Sequence, residues 1–345
     1  MTEPTAMRTE IGQQPAALRA TLGSLTPRSG EATALARDCR QVLFIARGTS
    51  DNAAVYGTYL LQAHAGMLAT LASPSIATEY HSRLDLSGVL AVALSQSGAT
   101  EEIVETLAWA RDCGARTLAI TNGGGSPLTQ VADLAFVTSA GAELAVPATK
   151  TFTTQLAALA VLAIALGADL DPGLLAAVPD EIERMLAAPD DLEPMVADLA
   201  GAVGVVVSGR GHAYAAALEL ALKLKEACYL HAMGLSWADL LHGPIAVVDA
   251  NTPAIIVAAD SGPALPGSID LARRVVAAGA RAYAIGGGPG LAAASSLAVP
   301  GPRLPEWLAP LGLIVPGQLL TEALSRRRGI DPDSPRGLSK VTQTG

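Results

Sequence analysis

The chain has 345 residues, of which half are hydrophobic and only 16% are charged. A chain of this length is too long for one ordinary core and long enough for two. Its formal net charge of −9 argues against a nucleic-acid partner, because binding to phosphate backbones requires clustered lysine and arginine. The one basic run, Arg326-Arg327-Arg328, is short and is expected to be a solvated helix end.

The three cysteines lie far apart in the sequence, at Cys39, Cys113 and Cys228. This pattern fits neither a disulfide framework nor a zinc site, and it indicates a reducing compartment. Residues 1–25 are polar and mixed in charge, so no secretory signal is expected. The longest apolar run, residues 156–166, is shorter than the roughly 18–20 residues that a membrane span needs. The sequence therefore predicts a soluble cytoplasmic protein without a membrane partner.

Apolar runs typical of strands alternate with helical stretches along the whole chain, which predicts an α/β fold with mainly parallel sheets. The runs are nearly continuous, as expected where helices cover both faces of a sheet. The predicted strands are residues 41–46, 89–94, 117–121 and 132–137 in the first half, and residues 203–207 and 253–259 in the second half.

Three markers of the first half recur in the second, in the same order and 163 to 165 residues later. Such constant spacing indicates a duplicated domain. The markers are Gly48 with Gly211, Gly98 with Gly262, and Gly114-Ala115-Arg116 with Gly279-Ala280-Arg281. The predicted organisation is an N-terminal helical segment (1–28), a first domain (29–178), a second domain (194–328) and a C-terminal tail (329–345), with the polar stretch 179–193 as the junction.

The loops that follow two strands of the first half are rich in hydroxyl groups. Parallel sheets bind ligands at the carboxyl ends of their strands, where backbone amides and Ser or Thr hydroxyls can hold a phosphate. The matching second-half loop carries an acid, Asp260, so one phosphate site per chain is expected, in the first half. The alternative is that these residues are ordinary helix N-caps. The predicted phosphate-binding residues are Gly48, Thr49, Ser50, Ser95, Gln96, Ser97 and Thr100.

These loops resemble the signature loops of the SIS (sugar isomerase) family, in particular the isomerase half of glucosamine-6-phosphate synthase and its glutaminase-free relatives. The resemblance implies two tandem SIS domains, each with a mainly parallel five-stranded sheet flanked by helices, followed by a C-terminal active-site tail. It is carried in chain order by Met7-Arg8-Thr9-Glu10-Ile11, by the two loops, by Val146-Pro147-Ala148-Thr149-Lys150, by Lys223-Leu224-Lys225-Glu226 with His242-Gly243-Pro244, and by the tail from Asp331 to Thr342.

Three ionisable residues, Glu219, Lys223 and Glu226, share one stripe of a predicted helix over residues 213–230 that is otherwise Ala- and Leu-rich. Buried charges need a partner or a ligand, and the alternative to an active-site wall is an internal ion-pair ladder. The resemblance implies that Glu226 is the general base, that Lys223 stabilises enolate charge, and that Glu219 lines the substrate site.

The remaining site residues follow from the resemblance alone. It implies that His242 opens the sugar ring and is donated by a neighbouring subunit, so that the chain forms a homodimer. It also implies a Schiff-base role for Lys340. Without it, His242 reads as a turn residue satisfied by backbone, and Lys340 as an exposed lysine in a frayed tail. Val146, Ala148 and Ser339 are expected to line the substrate.

Departures from the synthase favour a hydrolytic enzyme. Thr2 stands where the amidotransferase half would need a cysteine nucleophile, so glutamine is not expected to be the nitrogen donor within this chain. Arg47 stands where the synthase has a small residue, and the tail Lys340-Val341-Thr342-Gln343-Thr344 is closer to the glutaminase-free relatives; these two departures favour the hydrolytic reaction. The expected reaction converts glucosamine 6-phosphate and water into fructose 6-phosphate and ammonia. The alternatives are an enzyme acting on galactosamine 6-phosphate or a glycated-amine 6-phosphate, and a non-catalytic regulator that binds sugar phosphates. No metal is expected from the histidine spacing, and no nicotinamide cofactor, because the G-x-G-x-x-G series is missing.

Overall fold

The structure is a computed structural model that describes residues 4–188 and 192–340. Strands and helices alternate along the chain, as the sequence predicts. The strands are β1 (Gln41–Ile45), β2 (Leu68–Leu71), β3 (Val89–Ser95), β4 (Arg116–Thr121), β5 (Leu134–Val137), β6 (Gly204–Gly209), β7 (His231–Ser236), β8 (Ala254–Ala258), β9 (Ala282–Gly286) and β10 (Leu297–Val299). The helices are α1 (Ala6–Gly12), α2 (Gln14–Leu25), α3 (Ser29–Leu35), α4 (Thr49–His64), α5 (Ser75–Thr78), α6 (Glu101–Asp112), α7 (Pro127–Val131), α8 (Lys150–Ala165), α9 (Val178–Ala187), α10 (Glu193–Leu199), α11 (Ala213–Cys228), α12 (Trp237–Leu241), α13 (Leu265–Ala277), α14 (Gly288–Ala294) and α15 (Ala309–Arg327).

The described residues form two compact units, each built around one sheet. The first-sheet unit contains residues 16–143, 150–176 and the end of the described tail from Ser339. The second-sheet unit contains the N-terminal residues up to Pro15, the segment Leu144–Thr149, and the residues from Ala177 to Leu338 that the structure describes. The segment 144–149 thus belongs to the second-sheet unit, although residues of the first-sheet unit precede and follow it in the sequence.

The first sheet has the strand order β2-β1-β3-β4-β5, and all of its pairings are parallel. Its central strand β3 is buried at every position, because β1 and β4 flank its edges and side chains such as Ile103 and Leu107 of α6 pack on one face. The predicted strands at β1, β3, β4 and β5 are confirmed, with ends that differ by up to two residues.

The second sheet repeats this topology, with the order β7-β6-β8-β9-β10 and parallel pairings throughout. The sequence predicts β6 and β8 but not β2, β7, β9 and β10. Three of the missed strands lie at sheet edges and keep exposed or half-buried positions, so they lack the continuous apolar run of a central strand. The fourth, β9, is buried but short and contains Ala and Gly.

Most of the stretch 179–193, which the sequence analysis assigned to a junction, is helical in the described part. Pro179 lies in the first turn of α9 and Pro194 in the first turn of α10, where proline is well tolerated. The basic run does lie at the exposed end of a helix, α15, as predicted. In the described residues, no helix has both the length and the apolar character needed to cross a bilayer.

Two helical glycines provide a test of packing in the first-sheet unit. A Cβ at Gly57 of α4 would lie 2.7 Å from the Phe44 ring and 3.0 Å from Leu159, whereas Gly23 of α2 has no described atom within 4 Å of that point. We expect Gly57→Ala to lower the free energy of unfolding by about 1–3 kcal/mol through overpacking. Gly23→Ala should raise it by up to about 1 kcal/mol through helix propensity. Urea denaturation of both variants checks this; equal effects would contradict the packing described.

Candidate active site

The two hydroxyl-rich loops follow neighbouring strands of the first sheet. β1 and β3 are neighbours in this sheet. One loop leads from the end of β1 into α4, and the other leads from the end of β3 into α6. In this strand order, the gap between β1 and β3 is the point at which the chain direction across the sheet reverses, and ligands of open α/β sheets bind in the crevice outside it. The structure thus places the predicted residues 48–50 and 95–100 at one sheet edge.

The hydroxyl groups of these loops do not serve as side-chain caps of the helices. The N-cap residue of α4 is Gly48, which has no side chain to cap the helix. The N-cap residue of α6 is Thr100, and its side chain accepts no capping hydrogen bond. Ser95 Oγ instead accepts a bond from the Gly98 amide at 3.2 Å and lies 3.4 Å from Thr100 Oγ1. Ser97 Oγ accepts from the amide of Ala99 at 3.2 Å. The ordinary N-cap interpretation is therefore not what the structure shows, and these hydroxyls shape the loop itself.

Ser50 differs from the other predicted phosphate-binding residues because it is buried. Its Oγ accepts a hydrogen bond from Gln155 Nε2 of α8 at 3.0 Å. The hydroxyl proton is still available for donation, but the side chain is fixed by α8. Its role includes holding the first turn of α4 against the core.

A salt bridge joins the two loops. Arg47 Nη2 lies 2.9 Å from Glu102 Oε1, and Arg47 Nε lies 3.0 Å from Glu102 Oε2. Bidentate pairs of this kind fix geometry as well as charge. The neighbouring Asp51 has its pKa raised by burial, while the positive charge of Arg47 acts in the opposite direction. Arg47 thus offsets two carboxylates beside a loop pair suited to an anion.

The predicted ionic stripe lies on α11 in the second-sheet unit. Glu219 and Lys223 are completely buried, and Lys223 Nζ lies 3.5 Å from Glu219 Oε1. The same ammonium group donates to Glu226 Oε2, and the Glu226 side chain keeps 24% of its surface exposed. The stripe is therefore an ion-pair ladder in which one lysine serves two acids. Only Glu226, its exposed member, is placed to meet a substrate from solvent.

Close packing against α15 holds α11 in place. A Cβ at Gly317 would lie 3.1 Å from Leu220, so glycine permits the two helices to approach here. Ser325 Oγ donates to the Ala227 carbonyl at 2.9 Å, and Cys228 Sγ donates to the Thr321 carbonyl at 3.3 Å. Burial raises the pKa of Cys228 to about 12, so this thiol is a packing group rather than a nucleophile.

The segment that contains Val146 and Ala148 is anchored by its backbone. The Leu144 amide donates to Glu10, and the Val146 amide donates to the Asp333 carbonyl at 2.9 Å. Ala145, Pro147 and Thr149 are buried, while Val146 and Ala148 remain partly exposed, as lining residues must be. The Asp333 carboxylate in turn accepts from the Ala6 and Met7 amides at 2.7 Å each, at the start of α1.

Lys340 is not the free surface lysine that the alternative interpretation expected. Its Nζ lies 2.8 Å from Glu143 Oε2, and its side chain is 25% exposed. The Glu143 carboxylate is completely buried and also accepts from the Thr151 amide at 3.1 Å and its hydroxyl at 2.6 Å. Ser339 is exposed, and the resembling tail residues Val341 and Thr342 lie outside the described residues.

His242 ends α12, where its backbone amide donates to the Asp239 carbonyl at 3.1 Å. Its imidazole is exposed and makes no hydrogen bond to the part of the chain that the structure describes. The alternative interpretation expected this ring to be hydrogen-bonded to the backbone, and no such bond is present among the described residues. No set of three or more His, Cys, Asp or Glu side chains in residues 4–188 and 192–340 is arranged to hold a metal ion.

Sequence reasoning missed the residues that position the candidate site: Glu10, Glu102, Glu143 and Asp333. Each acts on a residue distant in sequence, so no local pattern marks it. Only two of the four acids carry a weak local sign of a positioning role. Glu143 is an isolated acid just before an apolar segment, and Asp333 lies between prolines and small residues.

The Asp333 contacts give a stability prediction. Asp333→Ala leaves the amides of Ala6 and Met7 without their acceptor, so we expect the free energy of unfolding to fall by about 1–3 kcal/mol. Asp331→Ala is a matched control, because Asp331 is exposed and, within the described residues, its carboxylate accepts one hydrogen bond, from the Asp333 amide. Urea denaturation compares the two. An Asp333→Ala protein as stable as the control would show that the carboxylate does not hold α1.

Comparisons with known proteins agree with this architecture. The SIS domain model matches residues 35–165 and 198–296. The glutamine–fructose-6-phosphate aminotransferase of Thermococcus kodakarensis is 33% identical over 348 residues, covering 98% of this chain and 58% of that protein. The chain thus spans somewhat over half the length of this relative.

Solved structures give the same result. A protein from Silicibacter pomeroyi designated a phosphosugar isomerase superposes with a TM-score of 0.85 at 33% identity, covering 96% of this chain and all of that one. The glucosamine-6-phosphate deaminase of Thermotoga maritima superposes with a TM-score of 0.80 at 23% identity over 99% of this chain, which concerns the fold alone. From its sequence matches and from the topology of both sheets, the chain belongs to the SIS domain family.

Proposed function

We propose that this chain is an aldose–ketose isomerase of sugar phosphates whose overall reaction is the hydrolytic deamination of glucosamine 6-phosphate. The observation that carries the proposal is the buried Glu219–Lys223–Glu226 ladder with its one exposed carboxylate. Sensors that only bind a sugar phosphate need no such proton-transfer group, and burial of the Glu219 and Lys223 charges carries a desolvation cost that a purely structural helix avoids with apolar residues. An enzyme is therefore favoured over a regulator.

The first-sheet loops supply the phosphate-binding groups in this proposal. The amides at the starts of α4 and α6 and the hydroxyls of Thr49, Ser97 and Thr100 would receive the dianion, since helix N-termini favour negative charge. Arg47 reduces the repulsion from Glu102, with which it pairs. The resemblance assigns Gly48, Ser95 and Gln96 to the same group.

Glu226 would carry the proton in the chemical step. It removes the proton from C2 of the open-chain amino sugar and returns it to C1, while one proton of the C2 amine passes to O1. The C1 aldehyde thereby becomes a hydroxymethyl group and the C2 amine becomes an imine. Lys223 donates to the carboxylate and supplies positive charge for the enolate-like intermediate. Water then adds at C2 and ammonia leaves, which balances the reaction.

Lys340 and His242 have supporting roles in the proposal. In this route the Lys340 amine displaces ammonia at C2 to give a transient Schiff base, and the water that adds at C2 then displaces the lysine amine and leaves the ketone. Glu143, 2.8 Å away, is the group that can accept the proton of Lys340. His242 opens the sugar ring, and its exposure in this chain is consistent with donation to a second subunit in a homodimer. Val146, Ala148, Glu219 and Ser339 line the sugar in this assignment.

The relatives support this choice in part. The aminotransferases that the chain resembles are designated as isomerizing, and the chain aligns with the part of them that makes up 58% of their length. The relative from S. pomeroyi, which is covered completely, is designated a phosphosugar isomerase and supports a second candidate: isomerisation of a sugar phosphate without loss of an amine.

The first experiment is ammonia release from glucosamine 6-phosphate by the purified protein, with fructose 6-phosphate measured in the same sample. Equal amounts of both products support the deaminase. Interconversion of hexose 6-phosphates without ammonia would support the second candidate instead. A rise in melting temperature with the sugar phosphate but no product would contradict both and favour the regulatory alternative.

The proposed base gives a mutational prediction. Glu226→Gln keeps a side chain that can accept from Lys223 but removes the carboxylate, so kcat should fall by about 10²–10⁴-fold with little change in KM. Lys225→Gln on the exposed face of the same helix is the matched control and should retain full activity. Initial rates at saturating substrate check this. If both variants kept the wild-type kcat, Glu226 would not be the base.

The tail gives a second mutational prediction. A chain ending at Gly337 lacks Lys340, and we expect it to lose activity by at least about 10²-fold while its melting temperature stays near that of the full chain, because Leu338 and Ser339 are exposed and Lys340 is only partly buried. Lys340→Ala should reproduce the loss. Full turnover by the shortened chain would exclude a chemical role for the tail.

A further inference from the structure

The loop that follows β3 is held along one side by the segment that follows β4. The amide of Asn122 donates to the Gln96 carbonyl at 3.1 Å. The amide of Leu128, in the first turn of α7, donates to the Gly98 carbonyl at 3.0 Å. The first and last of three consecutive carbonyls in this loop therefore accept hydrogen bonds from the β4 side.

Two residues of the second segment, Thr121 and Gly123, fix the peptide groups between those bonds. Thr121 is completely buried, and its Oγ1 accepts from the Gly123 amide at 3.1 Å and donates to the Gln96 carbonyl at 3.3 Å. A Cβ built on Gly123 would overlap the carbonyl oxygen of Ser97 and lie 3.2 Å from its carbonyl carbon. The Ser97 carbonyl therefore points at Gly123, and there is no room there for a side chain.

These contacts set the direction of the amides in the loop that follows β3. In a planar trans peptide, the carbonyl and the N–H of the following residue point in opposite directions. Because the carbonyls of residues 96–98 face the β4 side, the amides of Ser97, Gly98 and Ala99 face away from it. In the strand order, β1 lies on that opposite side of β3, together with the crevice between the two hydroxyl-rich loops. Successive amides that point to one side form a concave anion site.

We propose that Thr121 and Gly123 are positioning residues for the phosphate group of the substrate, because they hold the loop after β3 so that its amides face the phosphate. This role rests on the phosphate site of the proposed function and adds to it two residues that act through the main chain of the loop. A methyl group at Gly123 displaces the Ser97 carbonyl and turns the peptide plane, so the Gly98 amide turns with it. Loss of the Thr121 hydroxyl removes the acceptor of the Gly123 amide and one of the donors to the Gln96 carbonyl.

The test compares two neighbouring glycines in the full-length protein. A Cβ at Gly124 would lie 3.9 Å from Val137 Cγ1, an ordinary van der Waals contact, so Gly124→Ala is the matched control for Gly123→Ala. Calorimetric titration with inorganic phosphate and, separately, with glucosamine 6-phosphate measures the dissociation constants at constant ionic strength. We expect Gly123→Ala to raise both constants by the same factor, roughly 10- to 100-fold, because one hydrogen bond to a charged group is lost. Gly124→Ala should bind both ligands as the wild type does.

A second pair of variants keeps the test independent of whether Gly123→Ala folds. Thr121→Val retains the shape of the side chain without its hydroxyl, whereas Thr121→Ser retains the hydroxyl. We expect Thr121→Val to raise both dissociation constants and Thr121→Ser to restore wild-type binding. Melting temperatures of the ligand-free proteins separate the two kinds of effect, because a purely structural role lowers them without changing the affinity of the folded protein.

The outcomes separate this role from the proposed activity. Weaker binding of both ligands in Gly123→Ala or Thr121→Val, with wild-type affinity in Gly124→Ala and Thr121→Ser, supports the proposal. Equal affinity within each pair overturns it, as does weaker binding of the sugar phosphate alone, which would place the effect at the sugar. Inorganic phosphate reports on this loop whichever sugar the enzyme uses, so an absence of ammonia release does not affect the comparison. A wild-type protein that binds neither ligand would contradict the phosphate site of the proposed function, and this role with it.

Discussion

Parallel pairing in the order β2-β1-β3-β4-β5 is the constraint on which the candidate site depends. Because all strands point the same way and the chain reverses its direction across the sheet between β1 and β3, two loops and two helix N-termini open at one place. Residues that are 47 positions apart, Gly48 and Ser95, thereby belong to one edge. The second sheet has the same order, so the same geometry arises twice from one duplicated plan.

The two copies have diverged at this edge by changing chemistry rather than backbone. The first copy lines its loops with hydroxyls and leaves the space beside Gly48 open, whereas the second places the Glu306 carboxylate against Gly211 and Gly262. We assign the open space of the first copy to the phosphate of a ligand, whereas a side chain of the protein fills the corresponding space of the second copy.

The second-sheet unit contributes the ionic stripe of α11, in which Glu219 and Lys223 are buried and Glu226 is partly exposed. Lys223 between Glu219 and Glu226 compensates part of the desolvation cost, and the close approach of α15 at Gly317 keeps α11 in register. Polar contacts distant in sequence complete the arrangement: Asp333 ties the segment 144–149 to α1, and Glu143 fixes Lys340 within the first-sheet unit. Each of these acids accepts from backbone amides or pairs with a cation, as buried or partly buried polar groups generally do.

The sequence by itself determined the fold class, the central strands, the repeat and the shared stripe of Glu219, Lys223 and Glu226, because apolar periodicity and helical spacing are local properties. It did not reveal edge strands such as β2, whose side chains are half exposed and lack a continuous apolar run. Only the tertiary structure decided that Ser50 is held by Gln155, that Arg47 pairs with Glu102, and that Glu306 fills the second loop pair. These contacts join residues far apart in the chain, and their partners are chosen by how helices pack on the sheets, which no local pattern of residues specifies.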